Sequence, residues 1–416
     1  MLLLLGALMG VVLGRAMTPL RGYPERRSYA PGEPVSVMLS GPPGRRTLRL
    51  RDAAGRVVDS SAVRVAPQST GPEPWARGFG WRETLRRPAP QAFGWYCWDG
   101  HACFAVRDTG AVVQVVYPTN TVAAYSQAGG KSLYVAAKTW RVKEALRRLV
   151  TLRWGDLLPD AGAERARVVS FHRPVGQDHA AFQAPFFAWL AREGFGPRTG
   201  VLVDADLERG IPAATRVLVV AGHSEYWTRR MREAFDAFVT RGGHALVLSG
   251  NTAWWQARLE GDRLVVYRDA AEDPMQDPEL ETVQWNDSRL AYPIRPSLPA
   301  DFPHGGFLGQ RFRLLSAFAR SVLSNGVTLG PDSSLRIASR EMDGVPWTGW
   351  ARGHPVPDTS GFYRFTYFGY SPGSRFRRAT LGAFVAAQRT HTSGVVVHAG
   401  STDWCGENGW NGPDSL

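Results

Sequence analysis

Residues 216–248 read RVLVVAGHSEYWTRRMREAFDAFVTRGGHALVL, and this stretch decides the fold. Its two ends, residues 217–220 and 245–248, are continuous apolar runs, as expected for strands buried on both faces. Between them, apolar residues follow the i, i+3, i+4, i+7, i+8 spacing of a helix with one apolar face: Met231, Ala234, Phe235, Phe238 and Val239. Thr228 suits the N-cap of this helix, and Gly242-Gly243 suits its end. The pattern predicts a strand–helix–strand unit with parallel strands.

Further strand-like runs lie on both sides of this unit, at residues 112–116, 200–203 and 394–398. We therefore predict an α/β fold in which residues 109–416 form a doubly wound, mostly parallel sheet domain of the glutamine-amidotransferase-like kind. Residues from about 256 to 336 alternate apolar and polar side chains between many turns. This pattern predicts an inserted β-rich segment within the α/β domain.

The preceding region, residues 17–108, is a series of short strand-like runs separated by glycine and proline, which predicts a β-sandwich. Cys97 and Cys103 flank an Asp-Gly turn signal at residues 99–100, so they are expected to face each other across a hairpin. A disulfide and an unbridged pair of small apolar residues are equal alternatives at this point. Cys405 stands alone, and three cysteines without CxxC or histidine clustering predict no zinc site.

The composition is that of an ordinary globular protein, with 416 residues, 44% apolar and 21% charged residues, and a formal charge of +12. The positive charge comes mainly from arginines spread along the whole chain and interspersed with acidic residues. A phosphate-binding surface needs basic residues clustered on one face or along one helix. We therefore predict no nucleic-acid partner.

Residues 1–13 form one apolar run, which is too short to cross a bilayer core of about 30 Å as a helix. With the small-x-small spacing that follows, residues 1–16 have the pattern of a signal segment, although no basic residue precedes the run. The prediction is export to the periplasm or the extracellular space, without an integral membrane span. If the run is instead a buried strand or helix, the protein is cytoplasmic. A homo-oligomer remains open.

In open α/β sheets, ligands bind beyond the carboxyl ends of the strands. This rule selects four loops that combine glycine with polar and aromatic residues, as small-molecule pockets do: residues 117–134, 221–227, 249–255 and 399–404. None of these loops contains a cysteine or a G-x-S-x-G nucleophile elbow. A thiol amidotransferase or a serine hydrolase is therefore disfavoured.

His223 and Glu225 are the most informative pair, because two residues spaced i, i+2 after a strand can point into one crevice. The carboxylate can bind a metal or act as a base, and the imidazole can polarise a carbonyl or transfer a proton. The alternative is that Glu225 only caps the helix that follows.

Four segments together resemble the large subunit of N,N-dimethylformamidase and its relatives: GYPERRSYAPGE at 22–33, TNTVAAY…GGKSLY at 119–134, GHSEYW at 222–227 and GGHALVLSGN at 242–251. The resemblance implies a mononuclear iron, Fe(III), held by two tyrosine phenolates and one glutamate that match Tyr125, Tyr134 and Glu225. Hard oxygen ligands of this kind suit a Lewis acid that acts on an amide carbonyl and activates water.

The resemblance also implies catalytic roles for His223, Asn251 and Glu341, the last within the segment Glu341-Met342-Asp343. From spacing alone, Tyr125 and Tyr134 can equally be pocket-wall or core aromatics, and Asn251 can be a turn residue. The leading hypothesis is a metal-dependent hydrolase of a carbon–nitrogen bond in a small amide-like substrate. The competing hypothesis is an exported binding or structural protein that keeps the fold without turnover.

Overall fold

The computed structural model describes residues 19–134, 165–175, 181–193, 199–295, 297–321, 333–335, 337, 339–375, 378–407 and 409. The signal-like segment at residues 1–16 lies outside them. The helices are α1 (Pro74–Arg77), α2 (Thr119–Tyr125), α3 (Ala184–Glu193), α4 (Arg229–Thr240) and α5 (Ser316–Ala319). Short 3-10 turns occupy Asp204–Arg209, Pro278–Leu280, Ser288–Leu290 and Thr402–Cys405.

The strands of the amino-terminal region are β1 (Arg21–Pro24), β2 (Ser28–Tyr29), β3 (Pro34–Ser40), β4 (Gly44–Asp52), β5 (Val57–Val65), β6 (Glu83–Pro88), β7 (Gly94–Trp98) and β8 (Ala102–Val106). The next eight strands are β9 (Val113–Tyr117), β10 (Val168–Ser170), β11 (Thr199–Val203), β12 (Val217–Ala221), β13 (Tyr226–Thr228), β14 (His244–Leu248), β15 (Trp255–Glu260) and β16 (Arg263–Val265). The last strands are β17 (Asp301–Gly309), β18 (Phe312–Leu314), β19 (Ser334–Leu335), β20 (Ser339–Gly344), β21 (Trp347–Ala351), β22 (His354–Pro357), β23 (Arg364–Arg375), β24 (Arg378–Gln388) and β25 (Val395–His398).

The chain divides into two compact units. Unit 1 comprises the described residues of Met1–Arg107, Val122–Gln177 and Glu260–Leu264, and unit 2 comprises those of Asp108–Thr121, Asp178–Leu259 and Val265–Leu416. The units are therefore interleaved along the sequence, because the segment after Thr121 returns to unit 1 before the chain re-enters unit 2.

Unit 1 is built on two sheets with the strand orders β1-β3-β6 and β2-β8-β7-β4-β5. Both sheets contribute to one hydrophobic core, in which Val37 and Leu85 come from the first sheet and Trp98 and Phe104 from the second. Alternating side chains of each strand point inward, so the glycine- and proline-punctuated strand pattern is enough to build this core.

The β7–β8 hairpin resolves the alternatives for the first two cysteines. Cys97 and Cys103 are register partners on the two antiparallel strands, and they form a disulfide. Asp99 and Gly100 in the connecting turn both have positive φ, 42° and 77°, which this residue pair accommodates. The turn chemistry in the sequence thus determines which cysteines meet.

Unit 2 is organised around a sheet of eleven strands in the order β11-β9-β12-β14-β25-β24-β20-β17-β23-β18-β19. The first five strands are parallel to one another, which confirms the strand–helix–strand prediction. From β24 onward the pairing is antiparallel, so the sheet is mixed rather than mostly parallel. A short connection joins β24 to β25, and a connection of that length permits only an antiparallel pair.

The helix predicted from the apolar periodicity is α4. The side chain of Thr228 accepts a hydrogen bond from the Met231 backbone N–H at 3.2 Å, and Gly242 follows the helix with φ +95°. Phe235 and Phe238 are fully buried in the core that they share with the parallel strands. The predicted cap, apolar face and end of this helix are confirmed.

The β-rich part of unit 2 is longer than the sequence pattern indicates. β15 pairs with β13 in parallel, and the strands from β17 to β24 are antiparallel neighbours that continue to Gln388, beyond the expected end at about 336. β21 and β22 form a separate two-stranded hairpin. Among the residues described above, no helix is both long and apolar enough to cross a membrane.

Candidate functional site

The loops that follow β12 and β14 carry several of the buried polar residues of unit 2. In the first loop, Gly222 has φ +75°, and a Cβ at this position would lie 2.7 Å from the Cβ of Gln183. Only glycine avoids both the left-handed strain and this clash. The tight turn leads directly from the buried end of β12 to His223 and Glu225.

The loop after β14 approaches strand β20 equally closely. A Cβ on Gly250 would lie 2.3 Å from the carbonyl oxygen of Glu341, so this contact between two backbones requires glycine. The next residue, Asn251, has φ 52°, a left-handed conformation that asparagine tolerates. Asn251 is therefore a turn residue, and the same turn directs its side chain towards Glu341.

Four of the predicted residues form one buried cluster. The Nε2 atom of His223 lies 2.9 Å from Oε2 of Glu341 and 3.6 Å from Oε2 of Glu225. The Nδ2 group of Asn251 donates to the same oxygen of Glu341 at 3.1 Å. The side chains of His223 and Glu225 are only 3% and 1% exposed. One imidazole is thus held between two carboxylates in a nearly water-free environment.

Electrostatics in this cluster favour a charged His223. Desolvation lowers its pKa, but the carboxylates of Glu341, Glu225 and Asp343 outweigh that effect and raise the pKa above the ordinary histidine value. Desolvation raises the pKa of Glu341, whereas the His223 charge and the hydrogen bonds from His223 and Asn251 lower it by more. The arrangement stabilises a protonated imidazole beside an ionised carboxylate, which can deliver a proton to a reacting atom.

Two hydrogen bonds of its backbone fix the position of Glu225. Its N–H donates to Oγ1 of Thr121 at 2.9 Å, and its carbonyl oxygen accepts from the backbone N–H of Trp255 at 3.1 Å. The N-cap of the following helix is Thr228, so the alternative that Glu225 caps this helix is wrong. A buried carboxylate that has no capping role is a candidate ligand or base.

A second buried pair lies beside the cluster, and sequence reasoning missed it. Asp343 Oδ2 and His398 Nε2 are 2.9 Å apart, and neither side chain is exposed. The Asp343 carboxylate also accepts the Thr252 N–H at 3.1 Å, one residue after Asn251. Glu341 and Asp343 are two residues apart on β20 and so project to the same side of the strand. The i, i+2 acidic spacing was a signal for Asp343, whereas nothing local pointed to His398.

The loop after β25 contacts β20 next to Glu341. The Asp403 carboxylate accepts the backbone N–H of Arg340 at 3.1 Å, next to Glu341, and desolvation raises its pKa against the opposing effect of Arg340. Cys405 lies one residue beyond the loop 399–404 and ends the 3-10 turn Thr402–Cys405. The Cys405 thiol is fully buried, which raises its pKa well above the ordinary value. A thiolate nucleophile is therefore disfavoured at this position.

The two predicted tyrosines lie together in unit 1. The rings of Tyr125 and Tyr134 are stacked with their centroids 4.1 Å apart and an angle of 25° between their planes. Tyr125 is the last residue of α2, and the chain returns to Tyr134 through Gly129 and Gly130, which have φ +87° and +109°. A Cβ on Gly129 would lie 2.7 Å from the backbone nitrogen of Trp75, so a larger residue would displace this loop.

The predicted residues are thus brought together in two groups. Unit 1 contains the tyrosine pair, and unit 2 contains His223, Glu225, Asn251 and Glu341. Neither unit by itself contains all three expected iron ligands. In the described parts of the chain, no group of three or more His, Cys, Asp or Glu side chains has the geometry of a metal site. The expected ligand set is of a different kind, because two of its three donors are phenols.

The fold and the cluster define a class of protein: a mixed-sheet α/β chain that carries a buried histidine–carboxylate–amide group at its strand ends. The family model described as N,N-dimethylformamidase beta subunit-like, C-terminal, matches residues 98–411. The chain belongs to this family, which confirms the resemblance seen in the motifs. No curated protein matches the chain.

Proposed function

We propose that this protein is a hydrolase that cleaves the carbon–nitrogen bond of a small amide-like substrate and that it depends on a single bound iron. Membership of the N,N-dimethylformamidase beta subunit-like family supports the hydrolase class. The observation that carries the proposal is the buried cluster in which His223 contacts both Glu341 and Glu225. Burial of a histidine with two carboxylates costs desolvation energy, and buried titratable groups of this kind occur most often at functional sites.

We assign the iron ligands to Tyr125, Tyr134 and Glu225. The donor chemistry fits, because two stacked phenols and one buried carboxylate offer hard oxygen ligands of the kind that Fe(III) prefers. The helix that ends at Tyr125 also contains Thr121, whose hydroxyl accepts the Glu225 backbone N–H. When bound, the ferric ion supplies Lewis-acid polarisation of the substrate carbonyl and activation of water.

The remaining residues of the cluster handle protons and orientation. His223 carries a proton that its two carboxylate neighbours stabilise, and we assign it the role of donor to the leaving nitrogen. Glu341 orients the imidazole through the 2.9 Å contact. The amide of Asn251 donates one N–H to Glu341, and its second N–H is suited to a developing oxyanion. Burial of His223, Glu225 and Asn251 keeps bulk water away from their side chains and strengthens each of these interactions, whereas the Glu341 side chain is 19% exposed.

Elemental analysis and visible spectroscopy of the purified protein test the metal proposal. We expect about one iron per chain and a tyrosinate-to-iron absorption band in the visible range. The Glu225→Gln variant should lose the metal while remaining folded, because the amide has the shape of the carboxylate but not its charge. Glu233→Gln is the matched control, since Glu233 is an exposed residue of α4 with its side chain 53% accessible. Iron-free, colourless wild-type protein would refute the proposal.

Hydrolysis is tested with a panel of simple amides and formamides, by measuring amine or ammonia release. Activity that requires iron and disappears in Glu225→Gln supports the assignment. Iron-loaded protein that hydrolyses none of the panel would favour the competing view of a binding protein without turnover.

We propose in addition that the protein is exported to the periplasm or the extracellular space. The apolar run at residues 1–13 supports this location, and so does the Cys97–Cys103 disulfide, because disulfides persist in oxidising compartments. Cell fractionation of the native host, with mass spectrometry of the mature amino terminus, tests the location. Recovery of the uncleaved protein in the cytoplasm would refute it.

A further inference from the structure

Arg173 is the most deeply buried cation among the described residues of unit 1. Its side chain has no exposed area, and its guanidinium donates only to backbone carbonyl oxygens. Nε donates to Ser170 at 2.9 Å, and Nη1 donates to Ala128 at 3.0 Å and to Lys131 at 3.1 Å. Nη2 donates to the carbonyl oxygen of Ala123. One side chain therefore ties four points of the backbone together.

Three of these four acceptors lie close to the two tyrosines in the sequence. Ala123 is two residues before Tyr125 in α2, and Lys131 is three residues before Tyr134. Ala128 lies in the loop between them. The backbone N–H of Leu133 also donates to the carbonyl oxygen of Ala124 at 2.9 Å, which closes the loop a second time. The separation of the two phenol rings thus depends on a loop whose carbonyl groups converge on Arg173.

The charge of Arg173 has no counter-charge in the part of the chain that the structure describes. No described carboxylate lies within ion-pair distance of the guanidinium, and desolvation by burial lowers its pKa to about 9. The group therefore stays protonated at neutral pH. The four carbonyl oxygens therefore provide the polar contacts that compensate for burial of this charge.

Arg232 in unit 2 is a natural comparison. It is also fully buried and donates to the carbonyl oxygens of Tyr292 and Pro293, but it stacks on the Tyr292 ring and is attracted by the Asp236 carboxylate. Its contacts brace the core of unit 2 and involve none of the predicted site residues. The two arginines are thus equally buried, but only Arg173 contacts the loop between Tyr125 and Tyr134.

We propose that Arg173 is the positioning residue of the tyrosine pair: it locks the loop between Tyr125 and Tyr134 so that both phenols are presented together. This inference rests on the proposed function for its purpose, since the pair is positioned for a metal. The holding of the loop is a separate claim that needs no metal.

The first test is made on metal-free protein with a lysine-specific protease. The chain contains only three lysines, Lys131, Lys138 and Lys143, so cleavage after Lys131 can be followed by mass spectrometry. Loss of charged hydrogen bonds in Arg173→Met should open the loop and speed cleavage after Lys131 by about tenfold or more. Arg173→Lys keeps the charge but makes fewer bonds, so we expect an intermediate rate.

Arg232→Met is the control, compared at the same temperature interval below each variant's own midpoint of thermal unfolding. It removes an equally buried arginine and should leave the rate of cleavage after Lys131 unchanged. If Arg173→Met is cleaved at the wild-type rate, or if Arg232→Met is accelerated as much, Arg173 does not hold the loop.

The second test uses iron and the tyrosinate-to-iron band. Arg173→Met should bind iron at least about tenfold more weakly and shift the band, whereas Arg232→Met should keep the wild-type spectrum. A wild-type spectrum and affinity in Arg173→Met would overturn the positioning role. Wild-type protein that binds no iron contradicts the proposed function instead, and the protease experiment then decides alone whether Arg173 holds the loop.

Discussion

The parallel and antiparallel halves of the eleven-stranded sheet contribute to the site in different ways. In the parallel half, His223 and Asn251 stand in loops that directly follow β12 and β14. In the antiparallel half, Glu341 and Asp343 lie within β20 itself. Met342, between them, forms a β-bridge with Ser401 in the loop after β25, so β20 runs past the ends of the parallel strands. The parallel half thus provides loops that are visible in a local pattern, and the antiparallel half provides carboxylates through long-range pairing.

The comparison teaches that the strand-end rule finds only part of such a site. The rule led to the loops after four of the five parallel strands, because the carboxyl ends of parallel strands meet at one edge. It says nothing about a strand that crosses this edge from the other half.

The largest effect is expected from the contact between the halves. Glu341→Gln removes the carboxylate that orients His223, so kcat/KM for an amide that the wild type hydrolyses should fall on the order of 100-fold or more. Steady-state kinetics of amine release measure the loss. Glu260→Gln, on the exposed end of β15, is the control and should retain activity. An active Glu341→Gln variant would mean that the antiparallel half is only a scaffold.

Next comes the buried Asp343–His398 pair, which also joins the halves. Asp343→Ala leaves His398 and the Thr252 N–H without their partner and should lower the free energy of unfolding by about 3–5 kcal/mol. Urea denaturation measures the change. The double variant Asp343→Leu/His398→Leu should recover part of the loss, because no buried imidazole is then left without its carboxylate partner. A double variant less stable than Asp343→Ala would contradict this account.

The cores of the two halves can be compared with one truncation in each. Leu218→Ala in β12 removes a fully buried side chain from the core around α4 and should cost about 2–5 kcal/mol of unfolding free energy. Leu314→Ala in β18 removes a slightly exposed side chain one strand from the sheet edge, so we expect a smaller cost. Thermal or urea unfolding of both variants decides the order. A larger loss for Leu314→Ala would place the principal core in the antiparallel half.

The smallest effect is expected at the helix cap of the parallel half. Thr228→Ala removes the acceptor for the Met231 N–H and should lower the free energy of unfolding by about 1 kcal/mol. Thr228→Ser keeps the acceptor and should stay near the wild-type value. Urea midpoints of the two variants make the comparison, and equal stability of both would show that the cap contributes little.

Residues 216–248 illustrate how much of the fold could be predicted. The apolar runs, the helical periodicity and the cap signal all lie within one short segment, and α4 with its two flanking strands follows the prediction closely. The mixed nature of the sheet could not be predicted in the same way. It depends on β24 folding back onto β25, and on β17 and β20 pairing across many intervening residues.

The candidate site divides along the same line. The resemblance in the motifs led to Tyr125, Tyr134, His223, Glu225, Asn251 and Glu341, and the pairing of the two phenols and the His223 cluster are features of the structure. Asp343 was noticed only as a neighbour of Glu341, and His398 and Arg173 were not singled out at all. A buried histidine–carboxylate contact or a guanidinium that binds carbonyl groups has no local sequence signature, because its partners are distant in the chain.

The amino-acid sequence alone was sufficient to predict the strand–helix–strand unit of residues 216–248, the turn that joins Cys97 to Cys103 and the family of the chain. These features depend on side-chain periodicity, turn chemistry and short motifs, which are properties of neighbouring residues. Only the tertiary structure decided that β20 delivers Glu341 and Asp343 to the strand ends and that Arg173 gathers the loop between the tyrosines. The physical reason is that burial and hydrogen bonding act on groups close in space, and the chain brings these groups together only when it folds.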